Sequence, residues 1–164
     1  MRMLMLFILL IAALCGCQSS QPQQPDKRIL AIPSLNLLLT DSSTVINPQQ
    51  IPPGKPTILV CFSPNCPFSR QQTKEIVTHY TQLQNYRLYF CSPEPLPAIK
   101  DFYNNYQLNK YKNITVGRDY ELFFYKQLNI YSYPSLFIYN SANQLQKIAT
   151  GFVSADMIVN FTNG

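Results

Sequence analysis

The chain has no tryptophan, a single histidine, and only 13% charged residues among its 164. Each scarcity removes a class of function. His79 lies more than three helical turns beyond Cys66, at about 1.5 Å per residue, so a Cys–His hydrolase has no base within reach. Cysteine and histidine do not cluster at ligand spacing, so neither a metal carrier nor any other cofactor is expected. Basic residues outnumber acidic ones 13 to 8, but they never form a run. The net charge of +5 is therefore spread too thinly for a nucleic-acid footprint. Cysteine is also sparse after the first 17 positions, where Cys61, Cys66 and Cys91 remain. An odd set cannot pair internally, so one thiol stays free or pairs outside the chain.

What is present is apolar and aromatic: 46% hydrophobic residues, with 11 Tyr and 10 Phe. That composition and length suit one packed domain. The first residues read as an export leader, with Arg2 at its start, an apolar stretch from Leu4 to Leu14, and Leu14-Cys15-Gly16-Cys17 resembling a bacterial lipobox. The stretch is shorter than the roughly 20 residues of a membrane-spanning helix. Cys17, preceded by small Gly16, is the expected lipidation site and anchors the chain to a membrane. Three segments follow from this reading: the leader and lipobox over 1–17, a polar Pro/Gln tether over 18–28, and a folded domain over 29–164. Export places that domain in a bacterial cell envelope, facing an oxidising periplasm where disulfides persist.

Within the domain, apolar runs flank Thr40-Asp41-Ser42-Ser43 and predict a β-hairpin between Ile29 and Ile46. Thr57 to Phe62 reads as a buried strand, Pro67 to Gln84 as a helix, Tyr86 to Cys91 as a strand, and Leu96 to Leu108 as a second helix. This alternation implies an α/β fold with right-handed parallel crossovers, in which functional groups gather at the carboxyl ends of strands. A short strand at 113–116, a helix at 118–128, a hairpin from 136–139 to 145–149 and a helix at 155–161 capped by Ser154 complete the pattern.

The segment Phe62-Ser63-Pro64-Asn65-Cys66-Pro67-Phe68-Ser69-Arg70 sets one cysteine where a strand hands over to a helix. Free backbone N–H groups and the helix dipole at such a position favour a thiolate, and proline suits the first helical position. Together with Tyr133-Pro134 ahead of the last hairpin, this segment resembles the active site of thioredoxin-fold proteins, most closely the redoxin or TlpA-like lipoproteins of the Bacteroidetes type. The resemblance covers Ile29 to Phe161. It implies a central mixed sheet flanked by helices, an N-terminal hairpin extension, and a cis-proline at Pro134 packed against Cys66 as a substrate-binding loop. The second cysteine of the family's Cys-x-x-Cys motif is Ser69 here, and the family's buried acid aligns with Cys61.

The chemistry these residues imply is monothiol thiol–disulfide exchange at Cys66 on exported proteins, of isomerase or mixed-disulfide reductase type, with an outside thiol or redox partner releasing the product. Ser69 lies one helical turn away with a hydroxyl able to reach a thiolate. Cys61 and Cys91 are possible auxiliary thiols, or small buried hydrophobes. A second reading is a non-catalytic module that docks proteins at the Pro134 loop. A thiol peroxidase is a third, since Ser63 supplies a hydroxyl three positions before Cys66, although Leu59 stands where that family places a proline.

Overall fold

The computed structural model describes residues 27–163. The leader, the lipobox Cys17 and the tether up to residue 26 lie outside the described residues. The chain builds one seven-stranded mixed sheet from β1 (Leu37–Leu39), β2 (Val45–Ile46), β3 (Thr57–Cys61), β4 (Arg87–Ser92), β5 (Ile114–Asp119), β6 (Ser135–Tyr139) and β7 (Leu145–Thr150). Its order is β2-β1-β5-β4-β3-β6-β7. The helices are α1 (Pro67–Thr78), α2 (Tyr80–Leu83), α3 (Leu96–Asn105), α4 (Phe123–Leu128) and α5 (Ala155–Asn163).

The expected hairpin forms, with Leu37 opposite Ile46 across the Asp41 turn. Only its second half is as the sequence suggests. The run at Ile29 is a single 3-10 turn over Lys27–Ile29 that buries the isoleucine, and Ala31 bridges to Gln144 at the far edge of the sheet.

Strand β3 is the axis. It pairs in parallel with β4 and antiparallel with β6, and all five of its residues are buried. A strand covered on both faces reads as a continuous apolar run, as Thr57-Ile58-Leu59-Val60-Cys61 does. The period of two splits the core into two layers. Ile58, Val60 and Phe62 face Ile76 of α1, Phe102 of α3 and Ile158 of α5. Leu59 and Cys61 face Phe124 of α4, Phe137, Tyr139 and the N-terminal Ile29, Ile32 and Leu35. Phe62 meets Phe90 edge-on at 5.7 Å and Phe102 at 4.7 Å between ring centroids, which ties the active-site loop to the core.

Two helix boundaries differ from expectation by about five residues, and the helix expected to reach Leu108 ends at Asn105. The helix expected over 67–84 breaks at His79, whose φ of −103° and ψ of 30° leave the helical region. The Tyr80 ring just beyond packs at 4.7 Å on Tyr111, a tertiary contact that redirects the chain. The helix expected from Arg118 begins only at Phe123, because β5 continues through Asp119 to pair with β1. Gly117 permits that pairing: a Cβ there would lie 3.0 Å from Leu37 Cβ and 3.1 Å from the Leu38 carbonyl.

A buried side-chain amide closes the layer beneath α1. Gln72 Nε2 donates to the Val153 carbonyl at 2.9 Å, and its Oε1 accepts from the Val153 N–H at 2.7 Å. Both residues are buried. Gln72→Leu would strand this backbone pair, and we expect a loss of about 2–4 kcal/mol, read from urea unfolding midpoints at unchanged slope.

Candidate active site

Past Cys61 the chain keeps one more sheet bond, from Phe62 N–H to the Cys91 carbonyl at 3.0 Å, and then turns. The Cys66 N–H donates to the Ser63 carbonyl at 3.1 Å, and Cys66 becomes the N-cap of α1 with Pro67 as first helical residue. The Cys66 Sγ–H donates to the Tyr133 carbonyl at 3.3 Å. The Tyr133–Pro134 bond is cis, and the loop behind it is pinned by Gly151 N–H to the Pro134 carbonyl at 2.8 Å and by Ser135 Oγ to the Ser132 carbonyl at 2.7 Å. The two segments singled out in the sequence therefore meet.

Ser69 is buried, and its Oγ accepts from the Ser63 N–H at 3.3 Å. This hydroxyl braces the loop; among the described residues no hydrogen bond joins it to Cys66. Ser63 Oγ in turn donates to Glu94 Oε1 at 3.2 Å, so the hydroxyl required by a peroxidase reading is committed to a carboxylate. Arg70 Nε closes the loop on the other side, donating to the Pro64 carbonyl at 2.9 Å.

The three described thiols are all free, but they are not equivalent. Cys66 is half-buried, while Cys61 and Cys91 are buried side by side, opposite each other in the β3–β4 register. Burial pushes both thiols far up from the ordinary range, and the neighbouring Asp119 carboxylate adds to it. His79 remains at the far end of α1, its Nδ1 3.2 Å from Glu75 Oε1.

One polar group of this region escaped the sequence reading. Asp119 ends β5 on the face of Cys91, since Gly117 pairs with Cys91 and side chains alternate. Its Oδ2 accepts from the Phe124 N–H at 3.3 Å, while Oδ1 is buried without a partner among the described residues. Burial raises the Asp119 carboxyl above its ordinary 3.8. The Tyr133 phenol is pushed up to about 12, first by burial and then by the charges of Cys61, Glu94 and Asp119. An acid thus stands on the face of the two buried thiols, close enough for its charge to act on the Tyr133 phenol, contributed by a strand two places away from β3. An apolar signal does not reveal it; a lone Asp at the end of a β-rich run is its only trace.

No protein-family model matches the chain, and no curated protein sequence does. Solved structures do. A secreted Mycobacterium tuberculosis disulfide oxidoreductase described as homologous to E. coli DsbE superposes with a TM-score of 0.65 at 16% identity, covering 84% of this chain and 98% of that one. StoA from Bacillus subtilis gives 0.59 at 20% identity over 80% and 98%. A thioredoxin-like protein from Porphyromonas gingivalis gives 0.62 at 19% identity over 80% and 90%. The chain has the thioredoxin-like fold that its two motifs suggested, with helices on both faces of the sheet and the added hairpin at its edge.

Two tests follow from this geometry. In the native protein, iodoacetamide should modify Cys66 at least roughly a hundredfold faster than Cys61 or Cys91, which react only on opening, as resolved by peptide mass spectrometry. The raised Asp119 carboxyl holds its proton more tightly in the folded than in the unfolded chain. Its contribution therefore falls as the pH rises from the ordinary 3.8 through the raised value. Asp119→Asn should flatten that fall and raise stability at neutral pH, measured as urea midpoints across about pH 4 to 8.

Proposed function

We propose that this is a membrane-anchored thioredoxin-like protein of the cell envelope, carrying out monothiol thiol–disulfide exchange on exported proteins through Cys66. One observation carries the reading: the only accessible thiol among the described residues sits at the start of α1, against the carbonyl that precedes a cis-proline. The exposed Tyr131 and Ser132 and the half-buried Tyr133, ahead of the buried Pro134, offer a surface beside Cys66 on which an extended client segment would lie. Cys66 thiolate attacks one sulfur of the client disulfide, the client's second sulfur leaves as thiolate, and a mixed disulfide remains. With Ser69 where a resolving cysteine would stand, that intermediate is released by a different cysteine of the client, which forms a new client disulfide and expels the Cys66 thiolate, giving isomerisation, or by a small outside thiol, giving reduction. Lipidation of Cys17 and a periplasmic address belong to this proposal; the lipobox pattern supports them, and the described residues contain no helix long and apolar enough to cross a membrane.

A second reading, a docking module without catalysis, draws on two exposed aromatics. Phe68, 60% exposed within the motif, and Tyr131, 62% exposed beside the cis-proline loop, form the rim that a bound protein would cover. Cys66→Ala separates the two. We expect this variant, as full chain in detergent, to lose all measurable turnover in scrambled-ribonuclease and mixed-disulfide assays while keeping its melting temperature. Wild-type protein without turnover, and client capture that survives in Cys66→Ala, would favour the docking module.

A further inference from the structure

Net reduction of a client without a second motif cysteine needs an outside thiol, and a groove against the Pro64-Asn65 loop that leads into Cys66 has the charge to hold one. It lies between α1 and α3 with a volume of about 450 Å³, bordered by Asn65, Arg70, Lys74, Asp101, Phe102 and Asn105 among others. That volume is in the range of small-molecule sites. Arg70 and Lys74 are four residues apart and share one side of α1, and Pro64 and Asn65 bring the groove up to the residue before Cys66, whose own thiol turns to the Tyr133 carbonyl. At about 1.5 Å per residue, the two cations stand roughly 6 and 12 Å from the cysteine along the axis. Arg70 is held in place by its Nε bond to the Pro64 carbonyl at 2.9 Å. Among the described residues neither cation forms an ion pair with a carboxylate. Asp101 supplies one negative group across the groove, the Asn65 and Asn105 amides supply donors and acceptors, and the Phe102 ring supplies an apolar wall.

We infer that this groove binds the small thiol that frees Cys66, and that this thiol is of peptide type, with carboxylates for Arg70 and Lys74 and an ammonium for Asp101. The inference rests on the exchange reading and adds its reductant. The bound thiolate attacks Cys66 Sγ in the mixed disulfide, the client sulfur leaves as thiolate and takes a proton from water, and Cys66 carries the small thiol. A second molecule attacks the outer sulfur of that adduct. Cys66 thiolate is restored, and the two small thiols depart as one disulfide, having given two electrons to the client.

The test uses the full chain in detergent, with Cys66 converted to its pyridyl disulfide and release of pyridinethione followed by absorbance. Glutathione, a dicarboxylate peptide thiol, should react about tenfold faster per thiolate than neutral 2-mercaptoethanol, an advantage that salt removes. Lys74→Gln, which leaves the Arg70–Pro64 bond intact, should reduce the advantage at least about threefold, and Arg70→Gln/Lys74→Gln should abolish it. Lys126→Gln, equal in charge but outside the groove, should keep it. Binding apart from chemistry is read by saturation-transfer NMR on S-methylglutathione, whose signal should vanish in the double variant. No signal at millimolar ligand, or one that survives the double substitution, overturns the groove even if 2-mercaptoethanol still sustains exchange. A signal that depends on both cations, with Cys66 inert to every thiol, overturns the resolving role and with it the exchange reading.

Discussion

Two segments 67 residues apart in the chain meet at a 3.3 Å contact between the Cys66 thiol and the Tyr133 carbonyl, and the rest of the site depends on what enforces that meeting. The enforcing element is the antiparallel pairing of β3 with β6, in which Cys61 opposes Ser135. One residue beyond that pair, β3 must turn away and β6 has just arrived. The turn is short, held by the Ser63–Cys66 bond, and so it returns the cysteine to the loop that precedes β6. Shifting this register by one residue would send the Ile58 and Leu59 layers to opposite faces, which the burial of every β3 residue forbids.

The same pairing explains why one thiol is available and two are not. Cys61 and Cys91 lie within the sheet, on the layer closed by Phe124, Phe137 and the N-terminal turn. There desolvation and the Asp119 carboxylate both oppose ionisation, and a thiol that cannot ionise is neither nucleophile nor ligand. Cys66 lies past the end of the sheet, where the helix start replaces the strand. The difference between a core residue and a candidate nucleophile is thus five positions along one strand-to-helix connection.

Most of the fold was legible because β3, β4 and β6 are apolar on both faces and α3 and α5 carry apolar residues at helical spacing, whereas α1 buries Ser69, Gln72 and Thr73 beside Ile76. Both features follow from burial and survive in sequence as pattern. The site was legible through Cys66 and the Tyr-Pro pair. What stayed hidden depends on partners distant in the chain. The Gly117-Arg118-Asp119 stretch mixes glycine with charge and looks unlike a strand, yet β1 pairs with all three residues. No proline or glycine marks the break at His79. The Gln72 clamp on Val153 spans 81 residues, and nothing in a helix-spaced glutamine announces that it faces inward.

Ser69 bears most directly on how the chemistry is divided. At the end of the first turn of α1, its oxygen accepts the Ser63 N–H and thereby shapes the loop that carries Cys66. A hydroxyl oxygen is a better acceptor than a thiol sulfur, and a residue spent on bracing the loop has no part in electron transfer. In the proposed exchange, resolution falls to another thiol, of the client or from outside, that reaches Cys66 without displacing the loop. There the cis-proline side would hold the client, and the sheet beneath is closed by the core. The remaining approach runs along α1, over Arg70 and Lys74, where the helix itself spaces charge away from the sulfur at one turn and two. On the inference drawn above, a thiol arriving there would be selected by its carboxylates before its sulfur is in reach, and with serine at position 69 specificity would rest on the groove rather than on the motif.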